Sequence, residues 1–454
     1  MKLDGATIAE ATGGRLVRDA APGEIGTDTR ALPEGAWFLA LVGPRFDGHD
    51  FLDTAAAAGA VGCVVDRDPG PGWAGGVVIV SDTTLALQDL GRHARSRFRG
   101  PVVAITGSSG KTTTRALVAL ALSPLGTIHQ TTGNLNNHLG VPLTLLAVPD
   151  DAAAMVVEMG TSSPGEIEFL ARIGQPDVRL IVNVGPAHLE ELGGLDGVQV
   201  EKGAMFRTAR PGDTCCVNVE DARVDAVPLP AGVRRLAYGE GSTIAIESVE
   251  VRPSDLATHV GYRTPEGPIE VTIPAPGRHV ALNGAGALAI AASLGVDLRA
   301  AAEAMAGYAP VGMRMRPVTL PTGAVVLNDA YNANPASMKA SLDVLGLMPG
   351  RRAAVLGDML ELGTAEADWH RDVVRHAASI GLQLVLLVGE RMAAAASAGA
   401  GADVRVVADA AAASDLLHDW LGAGDVVLLK GSRGARVEQV LQGLEARAQT
   451  AGAG

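Results

Sequence analysis

The feature that most constrains the fold is the glycine-rich segment ITGSSGKTTT at 105–114, which continues an apolar run. The order VVAIT, then a Gly/Ser loop, then an Ala/Leu-rich stretch predicts a strand, a tight loop and a helix. Gly107 and Gly110 let the backbone approach ligand oxygens closely, and the N–H groups that begin the helix favour an anion. Such a unit is typical of α/β proteins with a largely parallel sheet.

The chemistry predicted for this loop is the binding of a nucleotide phosphate. Lys111 can reach the outer phosphates, and the hydroxyl of Thr112 can hold Mg²⁺. The first glycine lies three residues before Gly110, whereas the general pattern GxxxxGK[ST] places it five before. A plain strand-to-helix turn is the alternative. The residues expected to contact ATP here are Gly107, Ser108, Ser109, Gly110, Lys111, Thr112 and Thr113.

The alternation of strand-like and helical runs divides the 454 residues into three segments, in line with ~150 residues per domain. Residues 1–98 form a small α/β module, and residues 99–311 follow a βαβ order that predicts a mainly parallel sheet. Residues 312–454 alternate again, with strands near 324–328, 353–357, 383–388, 403–407 and 425–429, as in a Rossmann-like domain. The predicted class is therefore α/β with three domains.

Charge and hydropathy exclude several functions. The formal net charge of −13 disfavours a broad surface for nucleic acid. No apolar run approaches the roughly 18 residues of a membrane span, and the N-terminus lacks the apolar core of a secretory signal. The three cysteines show no CxxC spacing and are interpreted as buried hydrophobic residues. The expected compartment is the cytoplasm.

Two polar residues at the ends of apolar strands are candidates for holding a hard cation. Glu158 ends MVVEMG and His188 follows IVNVG, so both are expected beyond the carboxyl ends of strands, near the phosphate loop. Either residue alone is more often a local hydrogen-bonding group. Lys202, in VQVEKGAMF, is predicted on a helix. Only five of the 37 basic residues are lysines, which favours a task that arginine cannot perform.

Two clusters of polar residues are candidates for binding a substrate. In TTGNLNNHLGVPLTLL, 131–146, the side chains of Asn134, Asn136 and Asn137 precede an apolar run interpreted as a strand, although simple turn chemistry is the alternative. The segment VVLNDAYNANPASM, 325–338, places several polar groups directly after a strand, which is costly unless they are solvated or bind something. GDMLELG and LKGSRG occupy equivalent positions, and the latter offers Lys430 and Arg433 for a carboxylate.

Taken in order, these motifs resemble the Mur ligase family. The resemblance rests on GSSGKTT, GNLNNHLGVPLTLL, VEMGTSSPGEI, NVGPAHLE, EKGAMF, NDAYNANPASM, GDMLELG and LKGSRG, with DTRALPEGAWFLAL and RFDGHDF in the first module. It implies an ATP-dependent ligase of peptidoglycan synthesis, nearest to the branch that joins D-alanyl-D-alanine to UDP-N-acetylmuramoyl-tripeptide. The DNPR segment of the branch that adds diaminopimelate or lysine is missing, and YNANP stands in that region.

The resemblance also implies roles for individual residues. Lys111 and Thr112 would hold the ATP phosphates and a first Mg²⁺, with Glu158 as a ligand, and His188 would bind a second Mg²⁺. Lys202 would become a carbamate. These four groups, Lys111, Glu158, His188 and Lys202, form the predicted catalytic set, and the predicted metal ligands are Thr112, Glu158, His188 and Lys202.

Further contacts follow from the same resemblance. Asn283 would contact the adenine, and Arg314 and Asp329 would contact ATP once the last domain closes. Arg314 is chosen over Arg316 by its fifteen-residue spacing to Asp329. The residues expected to bind the other substrates are Thr29, Arg30, Asn134, Asn137, Ser162, Tyr331, Asn332, Asn334, Lys430 and Arg433.

Four alternatives are considered from the sequence. The least favoured is a nucleotide-binding module without enzymatic activity, because Glu158 and His188 would then have no function as Mg²⁺ ligands. The chain could be another Mur-type ligase that adds a single amino acid, or a relative that adds glutamate to a folate. It could also be a phosphate-loop NTPase or kinase, which would turn over ATP without an amide product. The expected partners are UDP-N-acetylmuramoyl-tripeptide and D-alanyl-D-alanine, with no nucleic acid and no membrane span, and the expected state is a monomer.

Overall fold

The structure is a computed structural model that describes residues 1–451, with side chains described through residue 447. It contains three mainly parallel sheets, one in each of the three segments expected from the sequence, and helices cover their faces. The α/β class is confirmed. Within residues 1–451, no helix is both long and apolar enough to cross a membrane.

The first segment contains a five-stranded sheet in the order β1-β7-β6-β3-β2, in which β1 is antiparallel and the other pairs are parallel. Strands β3 and β6 are fully buried, because helices cover both faces of a parallel sheet. The strands are β1 Arg15–Arg18, β2 Ile25–Gly26, β3 Trp37–Leu39, β4 Val42–Gly43, β5 Phe46–Asp47, β6 Gly62–Val65 and β7 Gly76–Ile79. The helices are α1 Gly5–Thr12, α2 Leu52–Ala57 and α3 Thr83–Arg97.

The central segment is built on a six-stranded parallel sheet in the order β13-β12-β11-β8-β10-β9. Its strands are β8 Val102–Thr106, β9 Thr127–Gln130, β10 Ala152–Glu158, β11 Val178–Ile181, β12 Thr214–Asn218 and β13 Arg234–Tyr238. The helices are α4 Lys111–Leu122, α5 Gly140–Leu146, α6 Glu166–Gly174, α7 Leu189–Leu192, α8 Leu195–Arg207, α9 Ala222–Asp225, α10 Arg278–Ser293 and α11 Leu298–Met305. The strand, loop and helix predicted around the glycine-rich segment are confirmed as β8 and α4.

One predicted element is wrong: the apolar run at the end of 131–146 is helix α5 and not a strand. The Oδ1 atom of Asn137 accepts hydrogen bonds from the backbone N–H groups of Leu139 (3.2 Å) and Gly140 (2.9 Å), where the helix begins. Most of α5 is buried, and Pro142 packs against Gly91 of α3. A short run that is apolar on every side has no periodicity that separates a buried strand from a buried helix.

An antiparallel sheet at 245–273, to which the sequence analysis assigned no element, is attached to the central domain. Its strands are β14 Ala245–Arg252, β15 Ala257–Thr264 and β16 Gly267–Ile273. Alternate residues of β15, including Val260 and Tyr262, are buried, as expected for a sheet that is covered on one face. The hydroxyl of Tyr262 donates to the carbonyl oxygen of Ala281 at 2.7 Å, which fixes the sheet to α10.

The last segment contains a six-stranded sheet in the order β17-β18-β22-β19-β20-β21, with only the edge strand β17 antiparallel. All five strands expected here are confirmed. The strands are β17 Arg316–Thr319, β18 Val325–Asn328, β19 Arg352–Gly357, β20 Leu384–Val388, β21 Val404–Val407 and β22 Val426–Lys430. The helices are α12 Pro335–Leu347, α13 Glu366–Ser379, α14 Glu390–Ala394, α15 Ala410–Trp420 and α16 Glu438–Ala451.

Candidate active site

The phosphate loop 107–110 lies where the strand order of the central sheet reverses. Strand β8 pairs with β10 on one side and with β11 on the other, and Glu158 at the end of β10 is in register with Ile105. The chain therefore leaves β8, β10 and β11 at one edge of the sheet. Ligands of open α/β sheets bind at such a switch point.

The two serines of the loop are held by the segment that follows β11. Asn183 accepts a hydrogen bond from the backbone N–H of Ser109 (3.0 Å) and donates to its hydroxyl (3.1 Å). The hydroxyl of Ser108 donates to the carbonyl oxygen of Gly185 (2.8 Å) and accepts from its N–H (2.9 Å). Gly110 has a φ of 76°, which favours glycine. The sequence analysis missed Asn183, whose only signal was its position directly after a strand.

Lys111 is turned back onto its own loop. Its Nζ atom donates to the carbonyl oxygen of Gly107 at 2.8 Å. Burial lowers the pKa of Lys111; the charge of Glu158 opposes this effect, and the charge of Arg314 adds to it. Arg314, from the start of the last segment, is therefore close enough to act electrostatically at the phosphate loop.

Glu158 is buried in a ring of polar partners. Its carboxylate accepts hydrogen bonds from the hydroxyl of Thr112 and from the Nδ2 atom of Asn136, both at 2.9 Å, and lies 3.8 Å from the guanidinium of Arg115. The hydroxyl of Thr131 accepts from the backbone N–H of Glu158 at 2.9 Å. The structure thus brings the predicted ligands Thr112 and Glu158 together. Arg115 was not anticipated, because a buried arginine inside a helix has no sequence signal.

Lys202 lies in α8 and is only 1% exposed. Burial, followed by the charge of Lys111, lowers its pKa well below the usual range, and Glu201 opposes this shift. The Glu201 carboxylate instead accepts hydrogen bonds from the backbone N–H groups of Gly165 (2.6 Å) and Ile167 (2.7 Å). In the part of the chain whose side chains are described, Lys202 Nζ forms no hydrogen bond. A buried amine without a partner favours its neutral form.

His188 follows β11 and lies close to the same lysines. Its Nδ1 atom is 2.5 Å from a carboxylate oxygen of Glu361, which belongs to the last domain. Burial lowers the pKa of His188, Glu361 raises it, and the charges of Lys202 and Lys111 lower it further. His188, Lys202 and Lys111 therefore share one electrostatic environment, as the sequence predicted. Glu361 was missed, because residues in different domains have no spacing that relates them.

Asn283 is placed beside the phosphate loop. It is buried in α10, and a methyl group on Gly110 would lie 3.5 Å from its amide. Burial raises the pKa of Tyr308, near the end of the central segment, and the neighbouring side chain of Thr113 in α4 opposes this shift. A contact between Asn283 and the adenine stays a prediction.

The linker that begins the last domain is attached to that domain at three points. The guanidinium of Arg314 stacks 3.8 Å above the ring of Tyr331, Tyr331 N–H donates to the carbonyl oxygen of Met313 (3.1 Å), and Asp329 accepts from Met315 N–H (3.0 Å). Arg314 is consequently fixed to the last domain while its charge acts on Lys111.

The polar cluster after β18 is largely occupied by contacts within the last domain. Lys430 is buried, and its Nζ atom lies 2.6 Å from Asp329 and 3.2 Å from the carbonyl oxygen of Asn332. Arg433 lies 3.5 Å from Glu438. Both cations expected to bind a substrate carboxylate are therefore paired with carboxylates of the protein, and their predicted contacts remain predictions.

Asn334 has a structural task as the residue that caps α12. Its Oδ1 accepts from the N–H of Ser337 at 2.8 Å, and the hydroxyl of Ser337 accepts from the N–H of Asn334 at 3.0 Å. We expect Asn334→Ala to lower the free energy of unfolding by about 1 kcal/mol, since one helix donor loses its acceptor. Denaturant unfolding measures this loss. Pro335→Ala, which leaves both bonds possible, is the control, and equal stability of Asn334→Ala and the parent would contradict the capping role.

Thr29, Arg30, Asn134 and Ser162, which were also predicted to bind substrate, lie outside this polar cluster. Arg30, beside Thr29, is exposed and pairs with Asp28 at 2.6 Å in the first domain. Asn134 is exposed in its loop, and the N–H of Ser162 donates to Glu166 at 2.7 Å. Substrate binding by these residues stays a prediction.

Comparison with known proteins covers almost the whole chain. A family model described as "Mur ligase middle domain" matches residues 105–291, and one described as "Mur ligase, glutamate ligase domain" matches residues 313–433. The UDP-N-acetylmuramoyl-tripeptide–D-alanyl-D-alanine ligase of Escherichia coli strain K12 is 35% identical over 426 residues, which is 93% of this chain and 93% of that protein.

Two solved structures agree in fold. A crystal structure of MurF from Acinetobacter baumannii superposes with a TM-score of 0.90 at 31% identity, and covers 98% of this chain and 99% of its own. MurF ligase from Thermotoga maritima in complex with ADP gives a TM-score of 0.83 at 27% identity, and covers 94% of this chain and 98% of its own. The resemblance first seen in the motifs therefore extends over the whole fold.

Proposed function

The chain belongs to the Mur ligase family, and we propose that it joins D-alanyl-D-alanine to the terminal carboxylate of UDP-N-acetylmuramoyl-tripeptide at the expense of ATP. The observation that carries this proposal is 35% identity, over 93% of both chains, to a ligase with that name. The match includes the outer domains, in which relatives that add other groups are expected to differ. The phosphate loop with Lys111 at the switch point supports the use of ATP.

In this proposal, each of the three segments has its own function. Residues 1–98 bind the UDP end of the precursor, residues 99–311 bind ATP, and residues 312–454 close over the reacting groups. ATP and the UDP-linked precursor are both substrates, so the cytoplasm remains the expected compartment. The monomeric state likewise stays a prediction.

The residues of the site fit Mg²⁺ if Lys202 is modified. Thr112 and Glu158 supply hydroxyl and carboxylate oxygens within hydrogen-bond distance of each other, and such oxygens are the ligands that Mg²⁺ prefers. His188 would be a ligand of a second ion. An ammonium at Lys202 would repel a cation, but the buried, unpartnered amine can react with CO₂. Bound Mg²⁺ would neutralise charge that develops on the transferring phosphoryl group.

Carbamate formation at Lys202 requires no reactant other than CO₂. The lone pair of the neutral Nζ attacks the carbon of CO₂, an N–C bond forms, one pair of C=O electrons moves to oxygen, and a proton leaves to solvent. The product carries an anionic oxygen in place of a cation. Low pKa and lack of a hydrogen-bonding partner both favour the neutral amine that this step requires.

The reaction proceeds in two steps. A carboxylate oxygen of the tripeptide attacks the γ-phosphorus of ATP, and ADP leaves, so that an acyl-phosphate forms. The neutral amine of D-alanyl-D-alanine then attacks the acyl carbon, its nitrogen loses a proton to solvent or to the departing phosphate, and the C–O bond to phosphate breaks as the amide forms. In the first step the N–H groups of the phosphate loop orient the nucleotide, while Lys111 moves from the carbonyl of Gly107 to the phosphates.

The last domain protects the intermediate. An acyl-phosphate is hydrolysed by water, so that the site must be closed before it forms. Arg314 is attached to the last domain through Tyr331 and acts electrostatically at Lys111. Closure thus adds a cation at the phosphates at the moment when water is excluded.

The decisive test is ligation with each candidate amine. Purified protein is incubated with ATP, Mg²⁺, UDP-N-acetylmuramoyl-tripeptide and either D-alanyl-D-alanine, diaminopimelate, lysine or glutamate, and both ADP release and product mass are measured. We expect an amide product with D-alanyl-D-alanine and at least 100-fold less with each single amino acid, as an order-of-magnitude discrimination. A faster reaction with a single amino acid would identify another branch, and ADP release without an amide product would overturn the proposal.

A further inference from the structure

The last domain contacts the metal-binding part of the proposed site through the loop that contains Glu361 and Gly363. The backbone N–H of Leu189 donates to the carbonyl oxygen of Glu361 at 2.9 Å, and the Glu361 carboxylate lies 2.5 Å from His188 Nδ1. Gly363 of the same loop packs against the backbone of Glu190. One residue of the last domain therefore meets both the backbone and the imidazole of the segment that follows β11.

Both sides of this contact have an unusual backbone conformation. His188 has a φ of 54° and Glu361 has a φ of 63°, in the left-handed region that residues other than glycine rarely adopt. Such conformations persist where surrounding structure determines them, and they concentrate at functional sites. The side chains of His188 and Glu361 meet where the last domain contacts the central domain.

The loop that contains Glu361 is firmly attached to its own domain. The N–H of Met359 donates to His370 Nε2 at 3.0 Å, the N–H of Leu360 donates to the hydroxyl of Ser432 at 3.0 Å, and Asp358 accepts from the N–H of Met392 at 2.8 Å. His370 is fully buried. Glu361 must therefore move with the last domain as a unit.

We propose that Glu361 is a positioning residue that orients His188 only when the last domain lies against the central domain. Its carboxylate lies 2.5 Å from Nδ1 of His188, so that it holds the ring in place and leaves Nε2 for a metal ion. A carboxylate partner on the second nitrogen is how metal-binding histidines are commonly oriented. This inference rests on the proposed function, in which His188 is a ligand. Domain closure thereby completes the metal site as well as excluding water.

A neighbouring carboxylate provides a matched control. Glu191 belongs to the central domain, and one of its carboxylate oxygens lies within 4.8 Å of a ring nitrogen of His188 and of a carboxylate oxygen of Glu361. If only negative charge near the imidazole mattered, the two glutamates would be equivalent. If Glu361 orients the ring, its loss will have an effect that the loss of Glu191 does not have.

The test compares Glu361→Ala, Glu361→Gln and Glu191→Ala in the full chain. Steady-state ligation gives kcat and KM, and electron paramagnetic resonance of Mn²⁺ with a non-hydrolysable ATP analogue gives metal affinity without turnover. For Glu361→Ala we expect roughly tenfold or greater losses in kcat and in the affinity for one Mn²⁺. KM for ATP should stay within about twofold, because nucleotide binding does not use this contact.

The two other variants distinguish orientation of the His188 ring from a general effect of negative charge. Glu361→Gln keeps an acceptor oxygen and should recover much of the lost Mn²⁺ affinity, which a merely structural contact would not predict. Glu191→Ala should resemble the parent. Equal losses in Glu191→Ala and Glu361→Ala, or a Glu361→Ala protein with parental kcat and Mn²⁺ affinity, would overturn the inference. A parent protein that makes no amide would instead overturn the proposed function.

Discussion

Lys111→Ala is expected to lower the rate of ligation by roughly 10³-fold, as for the loss of one main electrostatic group at a transition state. Lys111 is the lysine that begins α4 directly at the phosphate loop. Without Lys111, the backbone N–H groups of the loop can still contact the γ-phosphoryl group, but no compact cation stabilises the negative charge that develops on it. The loss should appear mainly in kcat, because the charge increases between ground state and transition state.

The fold should tolerate this substitution. The side chain of Lys111 is half-buried, burial lowers its pKa, and its Nζ atom donates to the carbonyl oxygen of Gly107. Lys339→Ala is the matched control, because Lys339 forms a surface ion pair with Asp372 at 2.5 Å, and surface pairs contribute little. Activity of Lys111→Ala within threefold of the parent, with Lys339→Ala also unchanged, would remove Lys111 from the mechanism.

Much of the fold was predictable because its local signals are strong. Strands such as β8, β20 and β22 are continuous apolar runs buried on both faces, and each is followed by a polar loop and a helix. Helix α5 was misassigned, because a short apolar run is compatible with either a buried strand or a buried helix. The strands β14 and β17 pair with their sequence neighbours through short connections, but both are largely exposed, so neither contains the continuous apolar run that marks a buried strand.

The residues of the site likewise differ in whether a local sequence signal predicts their position. The proximity of Lys111, Thr112 and Glu158 could be predicted, because Glu158 ends β10 while Lys111 and Thr112 begin the helix that follows the neighbouring parallel strand β8. Asn136 reaches Glu158, and Glu361 reaches His188, only through the folding of loops. Asn334 and Asn137 were expected at a substrate, and the structure shows a local role for each: Asn334 caps α12, and Asn137 accepts from backbone N–H groups where α5 begins. Helix caps and ligand-binding residues use the same polar side chains.

Lys202 is the position where the structure and the proposed chemistry are hardest to reconcile unless the side chain is modified. Lys202 is 1% exposed, has a pKa well below its usual range and faces the charge of Lys111. An amine buried here without a hydrogen bond contributes little to stability, and its charged form would be costly to bury. Lys202→Ala should therefore fold at least as stably as the parent, which denaturant unfolding will measure.

The effect on activity should be the opposite. We expect Lys202→Ala to lose ligation by at least 10²-fold, because the anionic oxygen that would hold the metal is gone. Acetate or another short carboxylate should restore part of the rate, since it can enter the space left by the side chain and supply oxygen. Lys202→Arg should be inactive with or without acetate, because guanidinium remains a cation, forms no carbamate and leaves no room.

The species on Lys202 decides between this account and a simple structural lysine. Exchange with isotopically labelled bicarbonate, followed by carbon nuclear magnetic resonance, should show a carbamate signal in the parent that is absent from Lys202→Ala and Lys202→Arg. Removal of bicarbonate should lower the activity of the parent if the carbamate exchanges during the assay. A fully active, metal-loaded enzyme with an unmodified Lys202 would contradict the carbamate, and so would a Lys202→Ala protein that acetate leaves unchanged.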